Sequence, residues 1–267
     1  MAIVEITSNQ NQKIKDLVKL RNRRTREQER LMILEGYREV SRALEQGFVF
    51  KEFYFSKEYF LGENEGALLD KISESGCQMF DVAETIFPKI AYRDRPEGLI
   101  ALMEFFDTSI EKIKLSANPL ILVVESIEKP GNLGTMLRTA DAAGVDALII
   151  CDRKTDIFNP NVIRASTGAL FSVPIAESTT EVVLAWLKKN NINTVAADPF
   201  AKDLYFDIDY KGSTAFILGA EQFGLSQKIK SSADTLVNIP MKGLADSLNV
   251  SQAGTILLFE ANRQRSS

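Results

Sequence analysis

Three short stretches concentrate side chains that can do chemistry. Residues 132–138, "NLGTMLR", carry Asn132, Gly134 and Arg138; residues 218–226, "LGAEQFGLS", carry Glu221 and Gly224; residues 239–260, "IPMKGLADSLNVSQAGTILLFE", carry Ser247, Asn249 and Ser251. A plain connection needs only turn residues, so this density of short hydrogen-bonding side chains points to ligand-binding loops. Asparagine both donates and accepts, which suits orienting a hydroxyl or fixing a guanidinium. Arginine offers a planar fork of donors to phosphate or a developing oxyanion, but no acceptor. Glu221 can anchor Asn132 or Arg138 through a charge-assisted bond, and it reads equally as a carboxylate at a helix N-terminus. The other plain readings are an Arg138–Asp141 pair, Ser247 as a helix cap, and each glycine as a turn or cap.

The composition removes whole classes of mechanism. With no histidine in 267 residues, a Ser-His-Asp triad, a histidine base and a histidine-held metal are excluded. Two cysteines, Cys77 and Cys151, build neither a disulfide framework nor a closed zinc site, so a reducing cytosol and no metal are expected. At 45% hydrophobic and 25% charged residues the chain reads as a globular, cytoplasmic protein. No apolar run approaches the roughly 20 residues of a membrane span, and Glu5 interrupts any signal-peptide core. "GNLGTM" lacks the G-x-G-x-x-G spacing, and no G-x-x-x-x-G-K-[ST] loop occurs, which disfavours a phosphate cradle.

The net charge of -4 conceals segregation. Residues 13–30, "KIKDLVKLRNRRTREQER", hold eight Lys or Arg against three acids. Lys19, Arg21, Arg23, Arg24 and Arg26 are therefore candidate contacts for a polyanion such as nucleic-acid phosphate, the plain alternative being a solvated helix with its own ion pairs.

The elements that must position these residues fall into two textures. Residues 1–106 read as a small α/β unit: a basic helix capped by Thr7, Ser8 or Asn9, with Ile14, Leu17 and Val18 inward; a helix over "MILEGYREVSRALEQG"; strands at "FKEFYFS" and "GLIALMEF"; and helix, Gly76 turn and strand in "GALLDKISESGCQMFDVA". Aromatics near Tyr54 and Tyr92 fit core packing, with base stacking as the alternative. Residues 107–118 read as a linker. From 119 to 267, unalternating apolar strands at "LILVVES", "VDALIIC", "NTVAAD", "TAFILGA" and "TLVNIP" alternate with helices at 133–144, 161–170, 180–190, 225–232 and 248–264. This predicts a mostly parallel sheet covered on both faces, with ligands outside the carboxyl ends of its strands.

Taken together, the three loops resemble the motifs of the SpoU/TrmH branch of the SPOUT RNA ribose methyltransferases. The third is the most specific, with Ile-Pro-Met, Gly243, Ser-Leu-Asn-Val-Ser and the ensuing helix at the family's spacing. "ITSNQNQKIKDLVKLRNRRTREQERLMILEGYREVSRAL" and "RPEGLIAL" resemble the family's RNA substrate-binding module, a small α/β unit akin to a ribosomal protein. Gln222 departs from the glycine many members carry. The resemblance implies a trefoil-knotted methyltransferase domain that binds S-adenosylmethionine through backbone groups of Leu218, Gly219, Ile239, Met241 and Leu248, with Gly243 and small residues allowing close backbone packing. It implies 2′-O-methylation of a ribose in structured RNA, most closely large-subunit ribosomal RNA, by a homodimer. Arg138, Asn132, Glu221, Asn249 and Ser247 would form the catalytic group. A transfer-RNA ribose methyltransferase, a non-catalytic RNA-binding protein that keeps the fold and a nucleotide-using small-molecule enzyme are the rival readings. The intact Arg138, Glu221 and Asn249 speak against the second; the missing phosphate loop and the basic segment speak against the third.

Overall fold

A computed structural model describes residues 3–266. The chain forms two compact units, Met1–Phe106 with Ile157–Phe171, and Asp107–Asp156 with Ser172–Ser267. In the first unit the elements run β1 (Val4–Ile6), α1 (Gln12–Lys19), α2 (Arg23–Glu29), β2 (Leu31–Glu35), α3 (Tyr37–Glu45), β3 (Glu52–Phe55), α4 (Glu65–Glu74), β4 (Gln78–Val82), α5 (Phe87–Ile90) and β5 (Leu99–Glu104). Its sheet has the order β1-β4-β3-β5-β2, parallel across β1, β4 and β3 and antiparallel through β5 to β2. Ile14, Leu17 and Leu20 of the α1 turn pack with Tyr54, Phe80, Ile86 and Phe87 in its core. Tyr54 stacks on Phe80 inside that core, which settles its role as packing.

The basic segment and the residues after it differ from their expected form. The segment is two helices, because Asn22 takes an extended conformation and its side chain accepts from the Arg24 amide, capping a new start. The cap of α1 is Asn11, in place of Thr7, Ser8 or Asn9, and Val18 is exposed while Leu20 is buried. Residues 32–35, expected as the start of a helix, belong to β2: a short apolar run has no periodicity of its own, and pairing with β5 decides it. Arg26, expected on the RNA-facing side, is 1% exposed, and its guanidinium donates to the carbonyls of Leu20 and Arg21, each at 2.9 Å. It is a structural clamp on the α1–α2 turn and is withdrawn from the RNA-contact set.

The remaining elements are β6 (Leu120–Glu125), α6 (Pro130–Ala143), β7 (Ala147–Cys151), α7 (Pro160–Ser166), β8 (Ile175–Ser178), α8 (Thr180–Lys189), β9 (Asn193–Ala197), β10 (Asp203–Leu204), β11 (Thr214–Leu218), α9 (Gln227–Ser232), β12 (Thr235–Asn238) and α10 (Val250–Arg265). Helix α7 belongs to the first unit, where Phe158 stacks on Phe105 just before it. Residues 107–118 group with the second unit, where Ile110 is buried in the core and the Thr108 carbonyl accepts from the Glu177 amide.

The second unit is a seven-stranded sheet, β10-β12-β9-β11-β6-β7-β8, parallel at every pairing. The two edge-side strands β8 and β10 were not anticipated. Ile121, Val123, Ile149 and Ile217 share one face with Val183 and Leu187 of α8 and Ile229 of α9. The opposite face carries α10, whose Gly254 lies so close that a Cβ there would come within 2.9 Å of the Leu218 side chain. Both faces are covered, which is why these strands read as continuous apolar runs.

Replacing Arg26 with alanine strands two carbonyls in the α1–α2 turn. Arg26→Ala is expected to destabilise the protein by about 2–3 kcal/mol, read as a lower urea midpoint at unchanged slope; an unmoved midpoint contradicts the clamp.

Candidate functional site

Strand order reverses beside β6: β7 and β8 lie to one side, β11, β9, β12 and β10 to the other. The crevice outside the carboxyl ends of such strands is where open α/β sheets hold ligands. A cleft of about 580 Å³ opens there, within the range of small-molecule sites. Its lining includes Lys129 and Asn132 after β6, Ala197–Phe200 after β9, Leu218–Leu225 after β11, and Ile239, Met241 and Asp246–Val250 after β12.

The loop after β11 is shaped by its backbone. Ala220 and Gly224 exchange two hydrogen bonds, at 3.0 and 2.9 Å, closing a tight hairpin that Gly224 permits with a φ of +66°. Gly219 sits under that hairpin: a Cβ there would lie 2.2 Å from the Gly224 carbonyl carbon. The close backbone approach expected at Gly243 occurs at Gly219 instead, since a Cβ on Gly243 meets nothing within 4 Å.

This hairpin aims Glu221 at the start of α6. Its carboxylate accepts from the amides of Glu128 and Lys129, at 3.1 and 3.2 Å, and from Asn132 Nδ2 at 2.8 Å. No side chain of α6 caps its own N-terminus, so Glu221 supplies the negative charge that end favours. Burial pushes the Glu221 carboxyl up, but the bond from Asn132 and the backbone donors outweigh it and hold the group below the usual carboxylate range. Asn132 is thereby oriented, and its Oδ1 accepts from Asn249 Nδ2 at 3.1 Å. Asn249 in turn caps α10, its Oδ1 accepting from the Ser251 amide at 2.9 Å and the Ser251 hydroxyl at 2.7 Å. One chain of bonds, Ser251–Asn249–Asn132–Glu221, therefore ties together the three loops.

Because Asn249 caps α10, Ser247 does not; it is exposed and lines the cleft. Leu218, Gly219, Ile239, Met241 and Leu248 all line it too. Among the described residues, no loop hydrogen bond engages the backbone groups of Ile239, Met241 or Leu248. Apolar side chains with unspent backbone donors and acceptors fit a flat heteroaromatic ring, as an adenine of S-adenosylmethionine requires.

Arg138 is placed differently. It is exposed on α6, makes no hydrogen bond or ion pair among the described residues, and does not line the cleft of its own chain. The alternative pairing with Asp141 is not formed; that carboxylate accepts from Ser172. Asp198 and Lys230 were missed. They form an ion pair at 2.7 Å on the cleft wall, and the Asp-Pro ending of the apolar run "NTVAADP" was the available signal. Phe200 and Phe223, strongly exposed at 89% and 76%, stand at the same cleft.

The expected RNA-contact residues lie in the first unit and are largely engaged. Lys19 pairs with Asp16 and Arg23 with Glu27, each at 2.9 Å. Arg21 donates to the carbonyls of Lys89 and Ala91, and Arg24 keeps an exposed guanidinium with no partner among the described residues.

The SpoU rRNA Methylase family matches residues 119–259, and the MRM3-like substrate binding domain matches residues 11–101. The chain is 29% identical to the 23S rRNA (guanosine(2553)-2'-O)-methyltransferase RlmP of Bacillus subtilis, over 96% of this chain and 98% of that one. It is 30% identical to the 23S rRNA (uridine(2479)-2'-O)-methyltransferase of Streptomyces viridochromogenes, over 92% and 86%. The crystal structure of an AdoMet-bound rRNA methyltransferase from Sinorhizobium meliloti superposes with a TM-score of 0.89 at 31% identity, covering 98% of both chains.

The bonds to Glu221 carry a pH signature. A carboxyl held below its usual range stabilises the fold above its ordinary pKa and loses that contribution as pH falls through the lowered one. Glu221→Gln is expected to cost about 1 kcal/mol at pH 7, with the difference from wild type closing toward pH 3 in thermal melts. A pH-independent difference would show that the charge is not what holds the loop.

Proposed function

The chain belongs to the SpoU rRNA methylase family, and from that premise we propose that it uses S-adenosylmethionine to methylate the 2′-hydroxyl of one ribose in large-subunit ribosomal RNA. The names of its relatives and the substrate-binding match over residues 11–101 support ribosomal RNA as the substrate. The observation that carries the reading is the Ser251–Asn249–Asn132–Glu221 chain at the mouth of a cleft lined by Leu218, Ile239, Met241 and Leu248. Threading of the C-terminal segment, as the family resemblance implies, fits two loops that line one cleft and an α10 laid against the sheet between them. A cytoplasmic site of action accords with a ribosomal substrate, and among the described residues no helix is long and apolar enough to cross a membrane.

S-Adenosylmethionine supplies a methyl group on a sulfonium, with a neutral thioether as leaving group, so bond polarisation needs little from the protein. The residues of the chain have to align the acceptor oxygen and ease the loss of its proton. Glu221 remains ionised with its oxygens occupied by three donors, which makes it a positioning group for Asn132. Asn132 and Asn249, fixed by one another, hold the mouth in shape, and the free hydroxyl of Ser247 is available to the ribose. Arg138 grips the adjoining phosphate and stabilises negative charge on the acceptor oxygen as its proton passes to solvent water. A guanidinium has no lone pair to take that proton itself.

Arg138 lies outside the cleft of its own chain, so a homodimer completes the site: each copy lends its Arg138 to the other's cleft. The unpartnered guanidinium on α6 and the half-exposed Phe259 on α10 support that reading.

Wild type incubated with methyl-labelled S-adenosylmethionine and unmodified 23S rRNA should mark one 2′-oxygen, located by reverse-transcription stops; no incorporation into RNA refutes the reading. Arg138→Lys keeps charge but loses the fork, and should slow single-turnover transfer about 100-fold; near-normal rates would refute the proposed role. Mixing Arg138→Ala with Asn249→Ala subunits should restore about a quarter of wild-type activity through heterodimers with one intact site. Failure to restore any would place Arg138 in its own chain's site.

A further inference from the structure

Of the five contacts expected in the basic run, Arg24 alone keeps an unpartnered guanidinium among the described residues. Of the α1–α2 set, Arg26 is buried, Arg21 holds two backbone carbonyls, and Lys19 and Arg23 pair within their own helices. Elsewhere in the same unit, Arg38, Arg95 and Arg164 are exposed and make no hydrogen bond or ion pair among the described residues. They stand on three segments that meet around Arg93: the Gly36 turn leading into α3, the 92–97 loop, and α7.

The meeting is built from specific contacts. Arg93 Nη2 donates to the Glu35 carbonyl at 2.9 Å and to Glu39 Oε1 at 3.0 Å, while Nη1 pairs with Glu97. Glu35 Oε2 accepts from the amides of Tyr92 and Arg93, at 2.6 and 3.2 Å, and Glu97 Oε2 accepts from the Tyr37 amide at 3.2 Å. Asn161 at the start of α7 donates to the Tyr92 hydroxyl at 3.2 Å, and Arg42 one turn beyond Arg38 donates to the Thr167 carbonyl at 2.7 Å. Arg164 lies close enough to Glu35 to lower its carboxyl, against a burial effect that leaves it raised. The acids at this junction are thus turned inward: Glu35 and Glu39 are buried, and Glu97 is tied to Arg93. The guanidiniums of Arg38, Arg95 and Arg164 point outward, with Asp94 the exposed acid among them. A hollow of about 310 Å³, lined by Arg21, Pro88, Ala91, Tyr92, Arg93 and Asp94, opens at the same loop.

We propose that Arg38, Arg95 and Arg164, grouped around the half-exposed Tyr92, form the principal phosphate-gripping surface for substrate RNA in this unit, ahead of the α1–α2 run. The inference rests on RNA being the substrate. Three forked cations without partners among the described residues suit phosphodiesters, and a tyrosine edge beside a hollow suits an unstacked base. The inward-facing acids and Arg93 act as a scaffold that fixes the spacing of the outward cations.

The test measures the dissociation constant for in-vitro transcribed 23S rRNA from 50 to 300 mM KCl, using full-length protein. The triple variant Arg38→Gln/Arg95→Gln/Arg164→Gln should flatten the log–log salt slope by about two units. It should weaken binding about 30-fold at 150 mM, with S-adenosylmethionine affinity and melting temperature unchanged. Lys19→Gln/Arg23→Gln/Arg24→Gln should lose less than half as much slope. An equal or larger loss in that second variant, or an unchanged slope in the first, overturns the proposal. Should the first triple melt early, the single charge reversal Arg95→Glu decides, and unaltered binding by it is equally fatal. Wild type that binds with the steep slope yet transfers no methyl removes the reaction and leaves the surface; wild type that methylates while the first triple binds normally removes the surface alone. Wild type that binds no RNA removes both.

Discussion

The geometry of the cleft depends on where one carboxylate finds its donors. Glu221 leaves the sheet on the β11 loop but is satisfied at the N-terminus of α6, by two backbone amides and an asparagine. That arrangement spans the switch point of the sheet, where the chain runs away from β6 in both directions and no strand ladder crosses between loops. A charged acceptor is suited to the task because bonds to an ionised group are about twice as strong as neutral ones, and because the helix end favours negative charge. From it the constraint passes to Asn132, to Asn249 and into the cap of α10. The loops are tied to one another by side-chain hydrogen bonds, while the backbone groups of Ile239, Met241 and Leu248 stay open to a ligand.

The same economy governs the charges. A chain with a net charge of -4 can still meet a polyanion if its acids are spent internally and its cations are not. In the first unit Arg93 gathers Glu39 and Glu97 at a buried junction, and burial raises the carboxyls of Glu35 and Glu39 above their usual range. Arginine is used in two opposite ways: Arg26 and Arg93 are structural and turned inward, Arg24, Arg95 and Arg164 are outward and free. Their positions in the chain do not distinguish them; only their surroundings do.

A protein without histidine has no side chain whose ordinary pKa lies near neutrality to serve as a general base. Transfer of a methyl group from a sulfonium to a hydroxyl demands little of one, since the leaving group is neutral and only the nucleophile changes protonation. On the proposed mechanism the chain supplies alignment and positive potential, for which a rigid hydrogen-bonded cleft is the appropriate device.

Much of this was legible in the residues themselves. Unalternating apolar runs separated by helices announced a parallel sheet, because strands buried on both faces need no polar positions. The three loops stood out because glycine, asparagine and serine at strand ends have few structural reasons to cluster. The second half of the chain was read more accurately than the first, since its periodic patterns are long, whereas the five residues of β2 carry no period and took their form from pairing with β5. The split at Asn22, the burial of Arg26 and the association of α7 with the first unit were set by tertiary packing, which a linear charge count does not register. The sequence by itself determined which chemistries were available, through the absence of histidine and the types of residue at the strand ends. Only the tertiary structure decided which of those groups are joined, which guanidiniums are free and which glycine bears the close approach. Hydrogen-bond partners up to 147 residues apart along the chain are a property of distance in space, and residue type alone carries no information about that.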